Sequence, residues 1–294
     1  MKLVLKVDVD TLHGTLEGVP RLMDLLQRHD APATFLFSLG PDHTGRAIRR
    51  VLRPGFLSKV SRTSVLEHYG LRTLLYGTLL PGPDIGRRCA PLLREVATRG
   101  FEVGVHCWDH NAWQDRLAIA GDDFACRQLQ QAQQRFTEIF GRPAHIHGAA
   151  GWQMNDAALR CAEQLGFTVL SDTRGGTPFR PVVAGRVLDC VQLPTTLPTL
   201  DELMGRDDPA GADPVAWLLR LTATAATDQV YTLHAELEGR RLAGWFDRLL
   251  QGWRDQGHAF ATLGQLADTL DWPALPARPL RLGSVDGRAG TLAA

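Results

Sequence analysis

The 294-residue sequence has no net charge, little lysine and no long apolar run. Its 32 acidic residues balance 32 basic ones, so no overall field attracts the chain to nucleic acid, and we expect no nucleic-acid partner. No stretch approaches the roughly 18 consecutive apolar residues of a membrane-spanning helix. Only three basic residues are lysines. This arginine excess is attributed to genome base composition and carries no functional information.

The cysteines are also too few and too scattered to organise a fold. The five lie at Cys89, Cys107, Cys126, Cys161 and Cys190, with no Cys-x-x-Cys pair among them. Their pattern argues against a disulfide framework or a thiolate zinc site and favours a reducing cytoplasm. The first ten residues run directly into a strand pattern, without a charged leader, apolar stretch and cleavage site in sequence. We therefore expect a cytoplasmic protein, unless a local surface attaches it to a membrane.

Short β-rich runs alternate with amphipathic helices, which predicts a mostly parallel sheet or barrel. Strands are expected at 3–9, 33–39, 101–106, 144–149, 167–171, 191–194, 230–234 and 259–263. Helices are expected at 18–29, from 155 to 166 and at 242–253, the last with the most regular apolar stripe. The sequence thus predicts an α/β fold, a (β/α) barrel of seven or eight strands.

One segment breaks this alternation after the second strand. Residues 41–85 are far longer than an ordinary βα connection. Between residues 46 and 80, seven cations stand against a single acid, Glu67, with apolar side chains interleaved. Such a mixture is typical of a segment at a membrane interface, although a helical insertion packed on the barrel with a solvated basic face is the alternative. We expect one catalytic domain over 1–272, a membrane-facing insertion over about 41–85, and a flexible tail over 273–294.

Two histidines four residues apart suggest a metal site. His106 and His110 can lie on one face of a helical turn or a strand-to-helix corner and bind one cation. Asp8 or Asp10, at the end of the first strand, can supply a third ligand. Two imidazoles, one carboxylate and an open coordination position allow a metal to activate water. The pattern therefore predicts a metal-dependent hydrolase.

Further polar residues end predicted strands, where barrel enzymes build their active sites. Strand alternation directs Asp8 and Asp10 to the same side, so that one can bind metal while the other acts as a general base. Asp172 and His234 end later strands. The alternative roles are loop capping for the two aspartates and a buried core position for His234.

These residues resemble three of the five motifs of the polysaccharide deacetylase family, also called the NodB-homology or carbohydrate esterase 4 family. The matching stretches are the Asp-Val-Asp ending at Asp10, the segment from His106 to His110, and the Leu-His ending at His234. The resemblance implies a deformed (β/α) barrel that removes N-acyl groups from amino sugars. It further implies that Asp10, His106 and His110 are the metal ligands, Asp8 is the base, and His234 is the acid.

Longer stretches resemble one branch of this family, at 6–11, 14–22, 37–42, 149–152, 178–181 and 231–236. The similarity extends to about residue 270 and includes the basic insertion. It implies removal of formate from an undecaprenyl-phosphate-linked formamido-arabinose at the cytoplasmic face of the bacterial inner membrane, by a peripheral protein. The product would serve lipid A modification, which lowers binding of polymyxin and cationic peptides. One divalent ion is implied, with zinc, cobalt and manganese all suited to the ligands.

The sequence departs from the family's third motif, which usually has an arginine that pairs with the base. The corresponding stretch, 147–152, contains no arginine, and Arg174 and Arg180 are the candidates to replace it. Both are alternatively surface or phosphate-facing cations. Asp172 most resembles the aspartate of the fourth motif and is predicted to orient His234.

Substrate contacts are assigned to Trp108, Trp152 and Arg180. Trp113 could also stack on the sugar or the lipid linker, and packing in the core explains each tryptophan equally well.

Three other functions remain open. They are a peptidoglycan or chitin-type deacetylase, a catalytically inactive barrel that binds glycolipid, and a metallophosphatase, which normally needs two metals and more carboxylates.

Overall fold

A computed structural model describes residues 1–47, 75–286, 288 and 290–294. Its strands are β1 Lys2–Val9, β2 Thr34–Ser38, β3 Glu102–Cys107, β4 Ile146–His147, β5 Val169–Leu170, β6 Arg180–Val183, β7 Arg186–Val187, β8 Val191–Gln192, β9 Gln229–His234, β10 Ala259–Ala261, β11 Ala277–Arg278, β12 Leu282–Gly283 and β13 Leu292–Ala293. Its α-helices are α1 Val19–Arg28, α2 Ile85–Thr98, α3 His110–Arg116, α4 Asp122–Phe140, α5 Asp156–Gln164, α6 Leu200–Leu203, α7 Pro209–Ala212, α8 Pro214–Ala223, α9 Ala243–Asp255 and α10 Leu263–Ala267.

Within the residues that the structure describes, the central sheet has eight strands, all paired in parallel. One edge of β1 pairs with β9, from Leu3 opposite Gln229 to Asp8 opposite His234. The other edge pairs first with β10 and then with β2, and the order continues through β3, β4, β5 and β8. Between β8 and β9, the segment that follows β8 donates two backbone hydrogen bonds to Val230. The predicted α/β barrel is confirmed, and it closes incompletely.

Strand β1 lies at the centre of this architecture because both of its faces are covered. All of its residues except Lys2 are buried, which suits the near-continuous apolar sequence of a central parallel strand. Parallel strands end at the same edge of a sheet, so the carboxyl ends of β1, β3 and β9 converge there. The fold therefore brings together polar residues that are more than 200 positions apart in the sequence.

Two amphipathic helices pack where their periodicity predicts. In α1, one stripe that includes Leu22 and Leu26 is buried. In α9, Phe246 and Trp253 are fully buried, and the ring of Trp253 packs edge-on against Tyr231 of β9 at 5.2 Å. Burial of each such side chain contributes about 1.5–3 kcal/mol. Helix α9 therefore packs against β9, the strand that ends at His234.

The final segment differs from the expected loose tail. Strand β11 pairs with β6, and β12 pairs with β13. Leu292 and Ala293 are buried, and the Arg174 amide donates to the Ala293 carbonyl at 2.9 Å. Two buried residues and a few backbone hydrogen bonds hold this segment to the domain. Its proline, glycine, alanine and arginine content does not predict these contacts.

The centre of the predicted insertion, residues 48–74, lies outside the described residues, so its membrane contact stays a prediction. Of the flanks, Tyr76 is buried, whereas the side chain of Leu79 is 81% exposed. Asp84 then caps α2 by accepting a hydrogen bond from the Arg87 amide. Among the helices that the structure describes, none has the length and apolar character to cross a bilayer.

One pair of cysteines is bonded, although the cysteine pattern argued against a disulfide framework. Cys126 of α4 and Cys161 of α5 form a disulfide, with their Cα atoms 5.5 Å apart. The two helices pack side by side, which a separation of 35 residues in the sequence does not reveal. Cys89, Cys107 and Cys190 are free and buried.

Candidate active site

The structure brings Asp10, His106 and His110 together at the carboxyl edge of the sheet. Asp10 Oδ1 lies 3.2 Å from His106 Nε2, and Asp10 Oδ2 lies 3.4 Å from His110 Nε2. Tetrahedral ligands about 2.0–2.1 Å from a zinc ion are roughly 3.3 Å apart, so these spacings suit a shared ion. Within the described part of the chain, this is the one group of three His, Cys, Asp or Glu side chains close enough to hold a metal.

Charge and hydrogen bonding prepare this triad for a cation. Burial disfavours the ionised form of Asp10, but His110 and His106 outweigh it and hold the pKa of the carboxyl well below its usual range. Asp10 Oδ1 is buried and makes no hydrogen bond. His106 Nδ1 lies 2.6 Å from the Gly148 carbonyl, which can only accept, so Nδ1 carries the proton and Nε2 is free to bind metal. The residues therefore fit a divalent cation.

A second pair of side chains fixes the helix that carries His110. Asp109 is the N-cap of α3 and accepts a hydrogen bond from the Ala112 amide at 3.0 Å. Its other carboxylate oxygen lies 2.6 Å from Nδ1 of His43. His110 is thereby held at the first position of a capped helix, directly after the turn that leaves β3.

Asp8 lies beside the triad, at the end of β1. Its Oδ1 is 3.7 Å from His106 Nδ1, is buried and makes no hydrogen bond. Its Oδ2 is 3.4 Å from the Nζ of Lys6. A carboxylate with one free oxygen, next to a metal site, is placed as a general base requires.

His234 completes the group from β9, opposite Asp8 in the sheet register. Burial opposes protonation of its imidazole, but the carboxylates of Asp201, Asp10 and Asp8 outweigh it and raise the pKa of His234 above its ordinary value. Its Nδ1 is buried and makes no hydrogen bond. The ring is thus suited to carry a proton at neutral pH.

These side chains line one cavity of about 150 Å³. Its lining residues are Asp8, Asp10, His106, His110, Gln114, Gly151, Trp152, Asp201, His234, Glu236, Leu237 and Arg288. Metal ligands, base and acid therefore share one small polar chamber, which can accommodate a sugar amide and an attacking water.

The comparisons with known proteins establish the family of this chain. A sequence profile of the polysaccharide deacetylase family matches residues 7–170. The chain belongs to this family. It is 36% identical over 99% of its length, and 93% of the relative's, to a Shewanella sediminis protein described as a probable 4-deoxy-4-formamido-L-arabinose-phosphoundecaprenol deformylase ArnD. A Wigglesworthia glossinidia brevipalpis protein with the same description is 30% identical over 95% of this chain and 97% of that relative.

A solved structure supports the fold. A putative polysaccharide deacetylase from Mycobacterium smegmatis superposes on 97% of this chain and 94% of its own, with a TM-score of 0.66 and 19% identity. At that identity the likeness establishes the fold alone. The polysaccharide deacetylase fold therefore extends well beyond residue 170, where the sequence profile ends.

Within this family fold, Asp172 does not lie where it could orient His234. Its Oδ1 accepts hydrogen bonds from His147 Nδ1 and the Ala149 amide, both at 2.8 Å, and its Oδ2 accepts one from Gln192 at 2.9 Å. Both Asp172 and His147 are fully buried. The structure thus differs from the prediction, because Asp172 binds its neighbours on β4 and β8 and does not line the cavity.

An acid that the sequence analysis did not name, Asp201, lies in the cavity with His234. It follows the capping residue Thr199 at the start of α6 and lines the cavity with His234. Of the groups that raise the pKa of His234, Asp201 has the largest effect. Asp201 in turn contacts Arg288, whose Nη2 lies 3.4 Å from its Oδ2.

The two arginines proposed as partners of Asp8 lie elsewhere. Arg174 binds Glu202 at 2.7 Å and stacks over Trp152 at 4.9 Å from the ring centroid. Arg180, on β6, has its nearest acid in Asp189, at 3.9 Å. Neither lines the cavity. The cation found at Asp8 is Lys6, which the sequence analysis left without a role.

Of the predicted substrate contacts, Trp152 alone lines the cavity. Trp108 is half-buried, with Arg135 over its ring at 5.2 Å, and Trp113 is fully buried with its indole bonded to the Gln153 carbonyl. Trp152 itself is 1% exposed and is held by its indole bond to Thr195 at 3.1 Å. Trp152 therefore forms a wall of the cavity.

Glu236 is a cavity residue to which the sequence analysis assigned no function. Its Oε1 accepts hydrogen bonds from the Asp10 amide and from the amide and hydroxyl of Thr11. Burial, followed by the charge of Asp10, raises the pKa of Glu236 to about 8. Its Oε2 is buried and makes no hydrogen bond. The signal available in the sequence was an acid two residues after His234.

Asp172→Ala is expected to destabilise the protein by about 3–5 kcal/mol, because it leaves His147, Gln192 and the Ala149 amide without their buried partner. Urea unfolding measures the change. Asp189→Ala, at a side chain that is 90% exposed, is the control and should stay within about 0.5 kcal/mol of wild type. If Asp172→Ala instead keeps wild-type stability but loses turnover, the result would support the prediction that Asp172 orients His234.

Proposed function

We propose that this protein is a metal-dependent deformylase. Its substrate is 4-deoxy-4-formamido-L-arabinose-phosphoundecaprenol, and its products are formate and 4-amino-4-deoxy-L-arabinose-phosphoundecaprenol, for lipid A modification and resistance to polymyxin and cationic peptides. The observation that carries this proposal is the placement of Asp8 and His234 beside the Asp10–His106–His110 triad in one cavity. The two relatives described as deformylases support the choice of substrate.

Asp10, His106 and His110 would hold the cation, for which zinc, cobalt and manganese are the candidates. When bound, the cation supplies Lewis-acid polarisation of the formyl carbonyl and of the attacking water. Asp8, through its free Oδ1, takes a proton from the water as its oxygen forms a bond to the formyl carbon. His234 gives a proton to the sugar nitrogen as the carbon–nitrogen bond breaks. The amine then leaves neutral, and formate is released.

A formyl carbon carries only hydrogen, whereas an acetyl group adds a methyl next to the reacting carbonyl. A cavity closed to that methyl group would explain deformylation in preference to deacetylation.

We also propose that the protein acts peripherally at the cytoplasmic face of the inner membrane. The basic and apolar composition of residues 46–80 supports this attachment. Of the described residues at its C-terminal flank, Leu75, Leu79 and Leu80 are exposed. A lipid-linked sugar is presented at the bilayer surface, so attachment there would bring the cavity to its substrate.

The experiment for this proposal compares substrates on purified protein. The formylated lipid-linked sugar should release formate, while an acetylated chitooligosaccharide should release little or no acetate. The reverse preference would identify a deacetylase that uses the same site. Tight binding of the lipid-linked sugar by a protein that contains no metal and releases no formate would indicate a glycolipid-binding barrel.

Turnover is expected to fall at alkaline pH, where His234 loses its proton. The pKa of His234 lies above the ordinary histidine value of 6.5, because the carboxylates of Asp201, Asp10 and Asp8 raise it more than burial lowers it. A raised pKa keeps the proton donor charged to higher pH, and activity declines only above that pKa. Asp201→Asn should move this alkaline decline to lower pH, as measured by kcat against pH. Asp189→Asn should not move it. If the alkaline decline of Asp201→Asn lies at the same pH as that of wild type, Asp201 does not raise the pKa of His234.

A further inference from the structure

Lys6 is fully buried in the centre of the sheet, in a chain with only three lysines. Its Nζ donates to the Ser171 carbonyl at 3.0 Å and lies 3.4 Å from Asp8 Oδ2. It also lies 5.4 Å from the centroid of the Trp152 ring. A buried ammonium is unfavourable unless its donors are paired, and here a carbonyl, a carboxylate and an aromatic face surround it.

The backbone fixes Lys6 relative to Asp8. Both residues lie on β1, two positions apart, so their side chains leave the same face of the sheet. Lys6 pairs in register with Thr34 on one side and with Thr232 on the other. A residue held between two neighbouring strands cannot move its Cα substantially, so the ammonium is directed to a fixed position beside the Asp8 carboxylate.

Gly148 makes room for this lysine. A Cβ added at Gly148 would lie 2.9 Å from Lys6 Cε and 3.2 Å from Lys6 Nζ. The carbonyl of the same residue accepts the hydrogen bond from His106 Nδ1 at 2.6 Å. The absence of a side chain at Gly148 therefore leaves space for Lys6 and for Leu36, whose Cδ1 would lie 2.4 Å from the added Cβ.

The neighbouring arginines do not share this contact. Arg174 and Arg288 also lie over the Trp152 ring, at 4.9 and 4.2 Å, but both pair with Glu202, at 2.7 and 2.6 Å. Arg288 also contacts Asp201, with its Nη2 3.4 Å from Asp201 Oδ2. Lys6 is thus distinguished from them by its contact with Asp8.

We infer that Lys6 is the positioning residue of Asp8. Its ammonium holds Oδ2 of the carboxylate, which leaves the hydrogen-bond-free Oδ1 available to accept a proton from the attacking water. This inference rests on the proposed function, because that function makes Asp8 the general base. Lys6 acts through Asp8 and contacts no substrate itself.

The test is a double-mutant cycle between Lys6→Met and Asp8→Asn, assayed by formate release from the formylated lipid-linked sugar. In the wild-type background, Lys6→Met should lower kcat about a hundredfold and change KM less than about twofold. In the Asp8→Asn background, the same substitution should change the residual single-turnover rate less than about twofold. Bound metal, measured by elemental analysis, should stay at the wild-type level in every variant. Lys2→Met, on the same strand, is the matched control and should behave as wild type.

Equal losses in both backgrounds, or wild-type kcat in Lys6→Met, would overturn the positioning role. Loss of bound metal from Lys6→Met would also overturn it, because the lysine would then act on the triad. If Lys6→Met unfolds, Lys6→Arg replaces it in the test. Lys6→Arg keeps the positive charge and should retain kcat within about tenfold of wild type. Loss of turnover by folded, metal-containing Lys6→Arg would then contradict the inference. A wild-type protein that releases no formate refutes the proposed function instead, so the two failures are distinguishable.

Discussion

Asp10→Ala is expected to leave a folded protein that retains no divalent ion and therefore has no turnover. Asp10 is the carboxylate of the triad, and each of its oxygens lies within 3.4 Å of an imidazole nitrogen. Because its pKa is held well below the usual range, it is ionised and supplies the negative charge that a dication needs. Two neutral imidazoles alone bind such an ion far more weakly. Elemental analysis should show bound metal falling from about one ion per chain to less than about a tenth.

The matched control for this prediction is Asp123→Ala. The side chain of Asp123 is 93% exposed on α4, and its replacement should leave metal content and turnover as in wild type. A folded Asp10→Ala protein that keeps a full complement of metal would contradict the assignment of the triad. Retained turnover in that variant would contradict it equally.

Asp8→Asn should lower kcat by about 10³–10⁴-fold while the metal stays bound. The amide is almost isosteric with the carboxylate, so the packing around it is preserved, but it cannot take a proton from water. Asp8 is not among the three grouped ligands, and its free Oδ1 makes no hydrogen bond. Steady-state formate release and elemental analysis on the same preparation measure the two effects separately. Loss of metal together with activity would instead make Asp8 a ligand.

The sequence was sufficient to predict that five site residues lie close together, because each is placed by the strand that it ends or follows. These residues are Asp8, Asp10, His106, His110 and His234. Each lies at or just after the carboxyl end of a strand, and parallel strands end at a common edge. The alternation along β1 places Asp8 and Asp10 on one side without knowledge of the tertiary structure. For these residues, the strand boundaries alone were nearly sufficient.

Asp172 was misplaced because the order of strands in space does not follow from their order in the sequence. It follows β5, which lies between β4 and β8, whereas His234 ends β9 beside β1. The barrel closes through the segment after β8, and Asp201, which follows that segment, lines the same cavity as His234. Periodicity identifies strands but does not give the sheet order, so it favoured the wrong aspartate.

Lys6 and Arg288 were not predicted for different reasons. Lys6 interrupts an apolar strand, where a charged side chain signals a buried partner, but scarcity of lysine was attributed to genome composition alone. Arg288 reaches the cavity from the segment that was expected to be a loose tail. Its pairing with Glu202 at 2.6 Å depends on a chain path that composition does not encode.

The most direct test of the account is mass-spectrometric detection of formate loss from the lipid-linked formamido sugar before chelation, after complete chelation, and after divalent metal is restored. We predict that the purified protein releases formate, that chelation abolishes the release, and that zinc, cobalt or manganese restores it. Formate release that continues unchanged after all metal has been removed would contradict the central claim that Asp10, His106 and His110 hold the catalytic ion.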